Sequence, residues 1–315
     1  MTTSVFPGRQ GAIVITFFMH IPKTGGQTLQ GWLESVYGPE RMVVWNSPMY
    51  WEMRHAKQDL RALLVRHPDV EAIAGHFPYG VHPVLGDRPH RYVTFLRDPV
   101  DRWISERVHH LTKNADEQVL RMSFAGCYGD IDLFELLRST INDDDDMNLQ
   151  SRFLRNGHSL GLGGSTPGRN LPAADVLARC SFVGRQESLA ADCHRLAGLL
   201  GCRPIALPES RNVAGVGDVR SALTPDEIAW IADRNRADIA LCSLVPASGP
   251  ERSNPPPADR RAIVTAILHA ALARMSECFI ALKKDRDEAQ VVMDHFAAMV
   301  DALPPPPMER ALASG

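Results

Sequence analysis

The apolar and polar positions of the first two hundred residues alternate between strand-like and helix-like spacing. The clearest strand is the continuous apolar run 12–19, which contains β-branched and aromatic side chains and is typical of a strand buried on both faces of a parallel sheet. A helical pattern follows over 28–37, after two adjacent glycines. Shorter apolar runs predict three more strands, at 71–74, 91–96 and 180–184.

Helical patterns separate these strands. We expect helices from about 100 to 111 and from 188 to 200, the second closed by Gly201. A third should start at Thr224, where a Thr, a Pro and a Glu occupy the positions of a helix start, and run to about Cys242. Strands that alternate with helices predict an α/β fold, an open parallel sheet with helices on both faces.

The composition changes after residue 247. Residues 1–247 form the predicted α/β domain, 248–258 a Pro-rich linker, 259–303 a long C-terminal helix, and 304–315 a disordered tail. The helix has apolar side chains on a heptad a/d register, broken once at Arg286. Its apolar positions are Leu268, Leu272, Met275, Phe279, Leu282, Ala289, Met293, Phe296, Val300 and Leu303. Such a stripe predicts either a coiled coil that forms a homodimer or a helix that packs back on its own domain.

The overall composition is that of an ordinary soluble protein. The chain has 315 residues, 44% hydrophobic and 23% charged, and a net charge of −3, so charge gives no reason to expect nucleic-acid or membrane partners. The run 12–19 is too short to span a bilayer, and we therefore expect an unanchored, cytoplasmic protein. The six cysteines are widely spread without a CxxC pair, which predicts reduced thiols.

The most informative stretch is HIPKTGGQTL, from His20 to Leu29. It lies between a buried strand and a helix, where backbone N–H groups and the positive end of a helix dipole converge. The two glycines allow a close approach of an anion, Lys23 adds a positive charge, and Thr24 and Thr28 add hydroxyl donors. The stretch therefore predicts a site for a phosphate-like group.

The same loop is not a Walker A motif, because Lys23 precedes the glycines rather than following them. This order disfavours a Mg²⁺-nucleoside triphosphate. We accordingly expect no metal at the site.

A second anion site is predicted about 70 residues later. Arg97 ends a strand, and Ser105 lies about two turns into the following helix. A guanidinium matches a phosphate in shape, and a serine hydroxyl can add one hydrogen bond. The alternative for Arg97 is an ion pair with Asp98 or Asp101.

Both stretches resemble the donor-binding motifs of sulfotransferases, in the group that includes heparan sulfate 2-O-sulfotransferase and bacterial relatives. The resemblance covers roughly residues 12–245 and implies a P-loop-like fold. It implies 3′-phosphoadenosine 5′-phosphosulfate (PAPS) as co-substrate, with Lys23 at the bridging oxygen and with Arg97 and Ser105 on the 3′-phosphate. The loop residues that it implies around the phosphosulfate are Pro22, Lys23, Thr24, Gly25, Gly26, Gln27, Thr28 and Leu29.

Transfer to a hydroxyl needs a base near neutral pH, and histidine suits this best. Among His20, His76 and His82, predicted around the sheet edge, the resemblance favours His76, which follows a strand as the family's Gly-His pair does. The heparan enzyme has a further histidine where this chain has Ala74. The alternative for His76 is a structural histidine bonded to backbone, and His20 is expected to face inward.

Later stretches also resemble the family. Gln150, Arg152 and Glu187 would either line the acceptor cleft or fix the sheet, and Arg211 and Asn212 would close over the nucleotide. The predicted function is sulfuryl transfer from PAPS to an acceptor hydroxyl, on a glycan or on a smaller alcohol. The alternatives are a P-loop-like kinase, which would need Mg²⁺ and a triphosphate, and a non-catalytic nucleotide-binding scaffold.

Overall fold

The computed structural model describes residues 13–45, 60–113, 132–139, 147–155, 171–207, 218–248 and 257–282. Its five strands are β1 (Ile15–Met19), β2 (Met42–Val44), β3 (Ala72–Gly75), β4 (His90–Leu96) and β5 (Phe182–Arg185). The helices are α1 (Gly26–Tyr37), α2 (Leu60–Arg66), α3 (Pro99–Lys113), α4 (Leu133–Arg138), α5 (Leu149–Leu154), α6 (Ala173–Ala178), α7 (Leu189–Leu200), α8 (Pro225–Arg234), α9 (Arg236–Ser243) and α10 (Arg260–Leu282).

The strands form one parallel sheet in the order β2-β3-β1-β4-β5. In register, Met19 at the end of β1 lies between Gly75 of β3 and Thr94 of β4. Parallel strands place all their carboxyl ends at one edge of the sheet, so the segments that follow β1, β3 and β4 emerge side by side. The predicted α/β class with a parallel sheet is confirmed.

Each face of the sheet carries its own apolar core. Ile15, Phe17 and Met19 of β1 point to one core, which also contains apolar side chains of α2, α5, α6 and α9. Phe18 points to the other, where α1 and α7 pack. Because successive side chains of a strand point to opposite faces, a continuous apolar run is what two covered faces require, and this explains the strand predicted at 12–19.

Some predicted boundaries differ from the structure. The single helix expected from Thr224 to Cys242 is two helices, α8 and α9, separated at the buried Asn235. The side-chain oxygen of Asn235 accepts the backbone N–H of Asn148 at 2.9 Å. Asn235 is also the N-cap of α9, with a backbone outside the helical region (φ −108°, ψ 27°), so the first helix ends there and a new one begins. The short elements β2 and α2 have no counterpart among the predictions.

The described residues fall into two compact units, drawn from 1–102, 148–211 and 235–252, and from 103–147, 212–234 and 253–315. The first unit contains the sheet. In the second, Arg260 at the start of α10 bonds the carboxylates of Glu227 and Asp132, with N···O distances of 2.7–2.9 Å. None of the described helices is both long and apolar enough to cross a membrane.

The C-terminal helix begins at Arg260, close to the predicted residue 259. The side chains of Ile263, Ile267 and Leu268 are buried within the chain, so this part of the helix packs back on its own protein. Residues 283–303, which carry the rest of the heptad register, lie outside the described residues, as does the tail 304–315. The four-part division of the chain, the coiled coil and the homodimer stay predictions.

Candidate functional site

A crevice is expected where the loops after β1 and β4 leave the sheet. From β1 the chain passes to β2 at one lateral edge of the sheet, and from β4 it passes to β5 at the opposite lateral edge. Neighbouring strands whose connections run in opposite directions leave a crevice at their carboxyl ends, where ligands bind in open α/β folds. The two predicted donor motifs of this unit, the loop from His20 and the turn at Arg97, lie at this switch point.

The loop after β1 has an unusual backbone. Lys23 has φ 64° and Gly25 has φ 80°, both in the left-handed region that residues other than glycine seldom adopt. The Thr24 hydroxyl donates to the carbonyl of Ile21 at 2.8 Å, and Thr24 is buried. Its hydroxyl proton therefore closes the turn, so the predicted hydroxyl contact of Thr24 with an anion is not what this geometry offers.

The loop runs directly into α1, which starts at Gly26 with Gly25 as its N-cap. The first N–H groups of a helix lack intrahelical acceptors and carry a partial positive charge. Gln27 is exposed and Thr28 half-buried, whereas the Leu29 side chain lies in the core behind the loop. Any contact of Leu29 with a ligand would have to come from its backbone.

Arg97 links the two loops of the crevice. Its Nη1 donates to the carbonyl oxygen of Lys23 at 3.1 Å. A guanidinium carries five N–H donors, so this bond accounts for one of them. Asp98 was considered above as an ion-pair partner of Arg97. Its carboxylate accepts a hydrogen bond from the backbone N–H of Asp101 at 3.0 Å, as a residue that caps the start of α3 does.

The peptide groups of the Arg97 turn are held by two side chains, those of the buried Gln150 and of Glu187. The Gln150 amide accepts from the Arg97 N–H and donates to the Arg97 carbonyl, both at 2.9 Å. Glu187 accepts from the Asp98 N–H and also pairs with Nε of Arg185 at 2.9 Å. Of the two roles weighed for Gln150 and Glu187, the structure shows the second, because both fix the end of the sheet.

A wider network holds Gln150 itself. The buried carboxylate of Asp238 accepts the backbone N–H groups of Gln150 and Ser151, at 3.0 and 2.7 Å. Asn148 accepts the N–H groups of Ala237 and Asp238 in return. Sequence reasoning missed this pair of reciprocal caps, because each of these bonds joins residues 87 to 90 positions apart and no local pattern indicates such a contact.

His20 and His76 lie side by side, directly after the register pair Met19 and Gly75. Their rings stack with centroids 4.3 Å apart and planes 25° apart. Nδ1 of His76 lies 2.7 Å from the carbonyl oxygen of His20. The His20 ring is buried and His76 half-buried. Burial, with the neighbouring His76 and Lys23, lowers the pKa of His20 well below its ordinary value.

His82 does not join this group. Its ring stacks on His90, the first residue of β4, at 4.2 Å, and its Nδ1 lies 3.1 Å from the Tyr92 hydroxyl. This places His82 toward the amino end of β4, whereas the crevice lies at the carboxyl ends. The chain after β3 turns back along the sheet, which the sequence pattern did not indicate.

The remaining predicted residues have separate positions. Pro22 is half-buried within the loop. Ser105 is half-buried on α3 and belongs to the second unit, so its pairing with Arg97 stays a prediction. Arg211 and Asn212 lie outside the described residues.

No metal cluster is found in the described ranges, where no three His, Cys, Asp or Glu side chains are grouped to hold an ion. Four of the six cysteines, Cys180, Cys193, Cys202 and Cys242, are thiols in this structure. Burial raises the pKa of Cys180, Cys193 and Cys242 to about 12. These three thiols therefore stay protonated near neutral pH and are unsuited to nucleophilic chemistry.

No protein-family model matches the chain, and no curated protein is similar to it. Among solved structures it is similar to a sulfotransferase from Alicyclobacillus acidocaldarius, with a TM-score of 0.42, 17% identity, and coverage of 75% of this chain and 96% of that one. It is also similar to mouse sulfotransferase SULT7A1 complexed with PAP, with a TM-score of 0.34, 12% identity, and coverage of 92% and 90%. Both TM-scores lie below 0.5, so neither likeness assigns a function or a site residue to this chain.

Proposed function

We propose that this protein is a sulfotransferase that moves the sulfuryl group of PAPS to an acceptor hydroxyl. One observation carries the proposal: the left-handed loop at Lys23, the guanidinium of Arg97 bonded to that loop, and His76 after the adjacent strand all lie at the carboxyl ends of β1, β3 and β4. Anion-binding groups and a candidate base then share one crevice. The motifs that resemble those of sulfotransferases supply the chemical class.

The donor's phosphosulfate fits the loop after β1. The left-handed conformation at Lys23 and Gly25 turns the backbone at the start of α1, and successive N–H groups in such turns form anion-binding concavities. Lys23 supplies a full positive charge beside them. These donors stabilise negative charge without a metal, which is why the proposal requires none.

Arg97 serves two purposes in this proposal. Its bond to the Lys23 carbonyl ties the β4 turn to the loop, and its fixed charge favours a bisphosphorylated nucleotide over a neutral one. Because Gln150 holds both peptide groups of Arg97, the guanidinium starts from an anchored backbone. With Ser105 as its predicted partner, Arg97 would bind the 3′-phosphate.

The chemical step is a displacement at sulfur. The acceptor oxygen forms a bond to sulfur while the bond from sulfur to the bridging oxygen of the 5′-phosphate breaks. The proton of the acceptor hydroxyl passes to His76, and the electron pair of the broken bond stays on the bridging oxygen. The products are a sulfate ester and 3′-phosphoadenosine 5′-phosphate (PAP), with Lys23 and the loop N–H groups stabilising the charge that develops.

The first experiment is calorimetric titration of the wild type with PAP, with ATP plus Mg²⁺ in parallel. We expect metal-independent PAP binding that weakens at least tenfold in Arg97→Ala. The matched control is Arg91→Ala, because Arg91 lies on β4, the strand that Arg97 directly follows, and also donates to a backbone carbonyl, that of Leu199 at 2.9 Å. Arg91→Ala should bind PAP as the wild type does.

Arg97→Lys separates charge from geometry, since a lysine keeps the charge but lacks the planar fork. Binding of ATP with Mg²⁺ in place of PAP would instead support the kinase alternative. PAP binding without any turnover of PAPS, against both glycan and small-alcohol acceptors, would support the scaffold alternative. The glycan hydroxyl is the acceptor that we test first, since the resembling group acts on glycans.

Turnover tests the loop directly. Removing one donor to a developing oxyanion typically lowers the rate about 10²–10³-fold, and we expect a loss of this size in Lys23→Ala. Full PAPS turnover by Lys23→Ala would overturn the assignment of the loop.

A further inference from the structure

His20 and His76 follow two neighbouring strands, and they contact each other through both a ring stack and a hydrogen bond, which the strand pairing alone does not require. Resting on the proposed function, we propose that His20 is a positioning residue for the base: its carbonyl fixes the tautomer of His76, its ring fixes the plane of the His76 ring, and Gly26 is glycine because the His20 ring occupies the space of its Cβ. His76 remains the residue that takes the proton.

The first step of the argument is the backbone. The His20 N–H donates to the carbonyl of Gly75 at 2.8 Å, which extends the pairing of β1 and β3 by one residue. The His20 carbonyl oxygen lies 2.7 Å from Nδ1 of His76, the residue that follows Gly75. Both polar groups of the His20 peptide are therefore bonded to the segment that carries the base.

The second step is the tautomer. A carbonyl oxygen can accept a hydrogen bond but cannot donate one. Nδ1 of His76 must therefore carry the hydrogen in this contact. In a neutral imidazole with a protonated Nδ1, the lone pair is on Nε2, and Nε2 is thus the atom that can take a proton from an acceptor.

The third step is the ring stack. The His20 ring lies between the Phe18 ring, stacked at 5.8 Å, and the His76 ring, stacked at 4.3 Å. Its own protonation is opposed by burial and by His76 and Lys23, the charged or titratable groups that act on it. His20 therefore presents a neutral ring, held by stacking on one neighbour and by burial, to the ring of the base.

The fourth step is Gly26. A Cβ at this position would lie 1.8 Å from Cδ2 and 1.9 Å from Nε2 of His20. The φ of Gly26 is not in the left-handed region, so the backbone itself would accept alanine. The need for glycine comes from the His20 ring, and it couples the start of α1 to the position of the base.

The first test reads the tautomer without any activity. Long-range ¹H–¹⁵N correlation spectra of the imidazoles at pH 8 should show Nδ1 of His76 protonated and Nε2 unprotonated. The signals of His76 are identified as those that disappear in His76→Gln. A dominant Nε2–H tautomer of His76 would overturn the proposal, whether or not the protein is a sulfotransferase.

The second test is suppression in thermal unfolding. Gly26→Ala alone should lower the Tm, because its Cβ displaces the His20 ring. In a His20→Ala background that space is open, and the same Gly26→Ala change should be neutral or raise the Tm, since alanine is the better helix former. Equal Tm losses in the two backgrounds would contradict the packing that couples Gly26 to His20.

The third test is kinetic. A base misplaced by an ångström can lose about 10²-fold in rate, and we expect kcat of His20→Ala to fall between about 10- and 100-fold, with the Kd for PAP within about threefold of wild type. His20→Ala should have no further effect in a His76→Ala background. His20→Ala keeps the backbone carbonyl and removes only the ring. Unchanged kcat in His20→Ala beside an impaired His76→Ala would therefore refute the positioning role of the His20 ring and leave the proposed function intact. A wild type without PAP binding or turnover would refute the proposed function, and the tautomer and suppression tests would still decide the geometry.

Discussion

Among the described residues of the sheet unit, two histidine pairs are stacked, one toward the carboxyl ends of the strands and one toward the amino ends, and their rings are almost equally arranged. His20 and His76 stack at 4.3 Å and 25° at the carboxyl ends. His82 and His90 stack at 4.2 Å and 16° toward the amino end of β4. Ring geometry alone does not distinguish a candidate base from a histidine that packs.

The surroundings of the two pairs differ. His76 bonds a carbonyl, which can only accept, and its neighbour His20 is buried beside Lys23. His82 lies against the Tyr92 hydroxyl, whose oxygen accepts two backbone N–H groups, and its neighbour His90 is exposed. The first pair therefore lies at a ligand crevice with the hydrogen of His76 on Nδ1, whereas the second lies toward the opposite ends of the strands, and this is the difference that points to chemistry.

Substitution of His76 and of His82 tests directly which of the two pairs carries the base. General base catalysis contributes about 10²–10⁴-fold, so His76→Ala should lower kcat for PAPS-dependent transfer by that factor with little change in the Kd for PAP. His82→Ala is the matched control, since it removes an equally stacked imidazole, and its kcat should stay within about threefold of wild type. Equal losses in the two variants would show that the ring stack matters for folding and that the base lies elsewhere.

The next effect concerns stability at the amino-end pair. The buried Tyr92 hydroxyl accepts the backbone N–H groups of Gly80 and His82, at 3.2 and 3.1 Å. Tyr92→Phe removes their acceptor, and leaving a buried donor unsatisfied costs about 1–3 kcal/mol. Urea unfolding should show this loss in the free energy of unfolding, while the Kd for PAP stays unchanged. A weakened PAP complex would mean that the two pairs are coupled through the sheet.

The sheet and the positions of the two anion motifs could be predicted from sequence, because continuous apolar runs indicate strands with two covered faces and the motifs directly follow those runs. The parallel order then requires the loops after β1 and β4 to meet. From sequence, only the resemblance to sulfotransferases assigned the donor loop and Arg97 to one donor, because the neighbouring positions of β1 and β4 are known from the structure alone.

The contacts that position the site could not be predicted in the same way. The bonds of Gln150 and Glu187 to the Arg97 turn join residues 53 and 89 positions apart, and no local pattern encodes such a distance. His82 was misplaced because the return of the chain after β3 depends on the Tyr92 hydroxyl. The role of Thr24 differed because a short hydroxyl bonds nearby backbone as readily as a ligand.

The pH dependence of stability also distinguishes the two pairs. The pKa of His20 is lowered well below its ordinary 6.5, first by burial, and that of His82 is lowered less strongly, first by burial and then by His90. Below about pH 6.5 the unfolded chain binds protons that the folded chain does not, so stability is fully present above that pH and is lost as pH falls, by at most about 1.4 kcal/mol per pH unit for each group.

Urea unfolding between pH 7.5 and 5 should therefore show a shallower pH dependence in His20→Asn than in the wild type, and a smaller change in His82→Asn, whose folded-state titration begins at higher pH. Any constant loss of stability from either substitution drops out, because each variant is compared with itself across pH. An unchanged pH dependence in His20→Asn would mean that His20 takes up its proton in the folded protein as readily as in the unfolded chain, and the carboxyl-end pair would then lack the neutral partner that distinguishes it from the pair at the amino end.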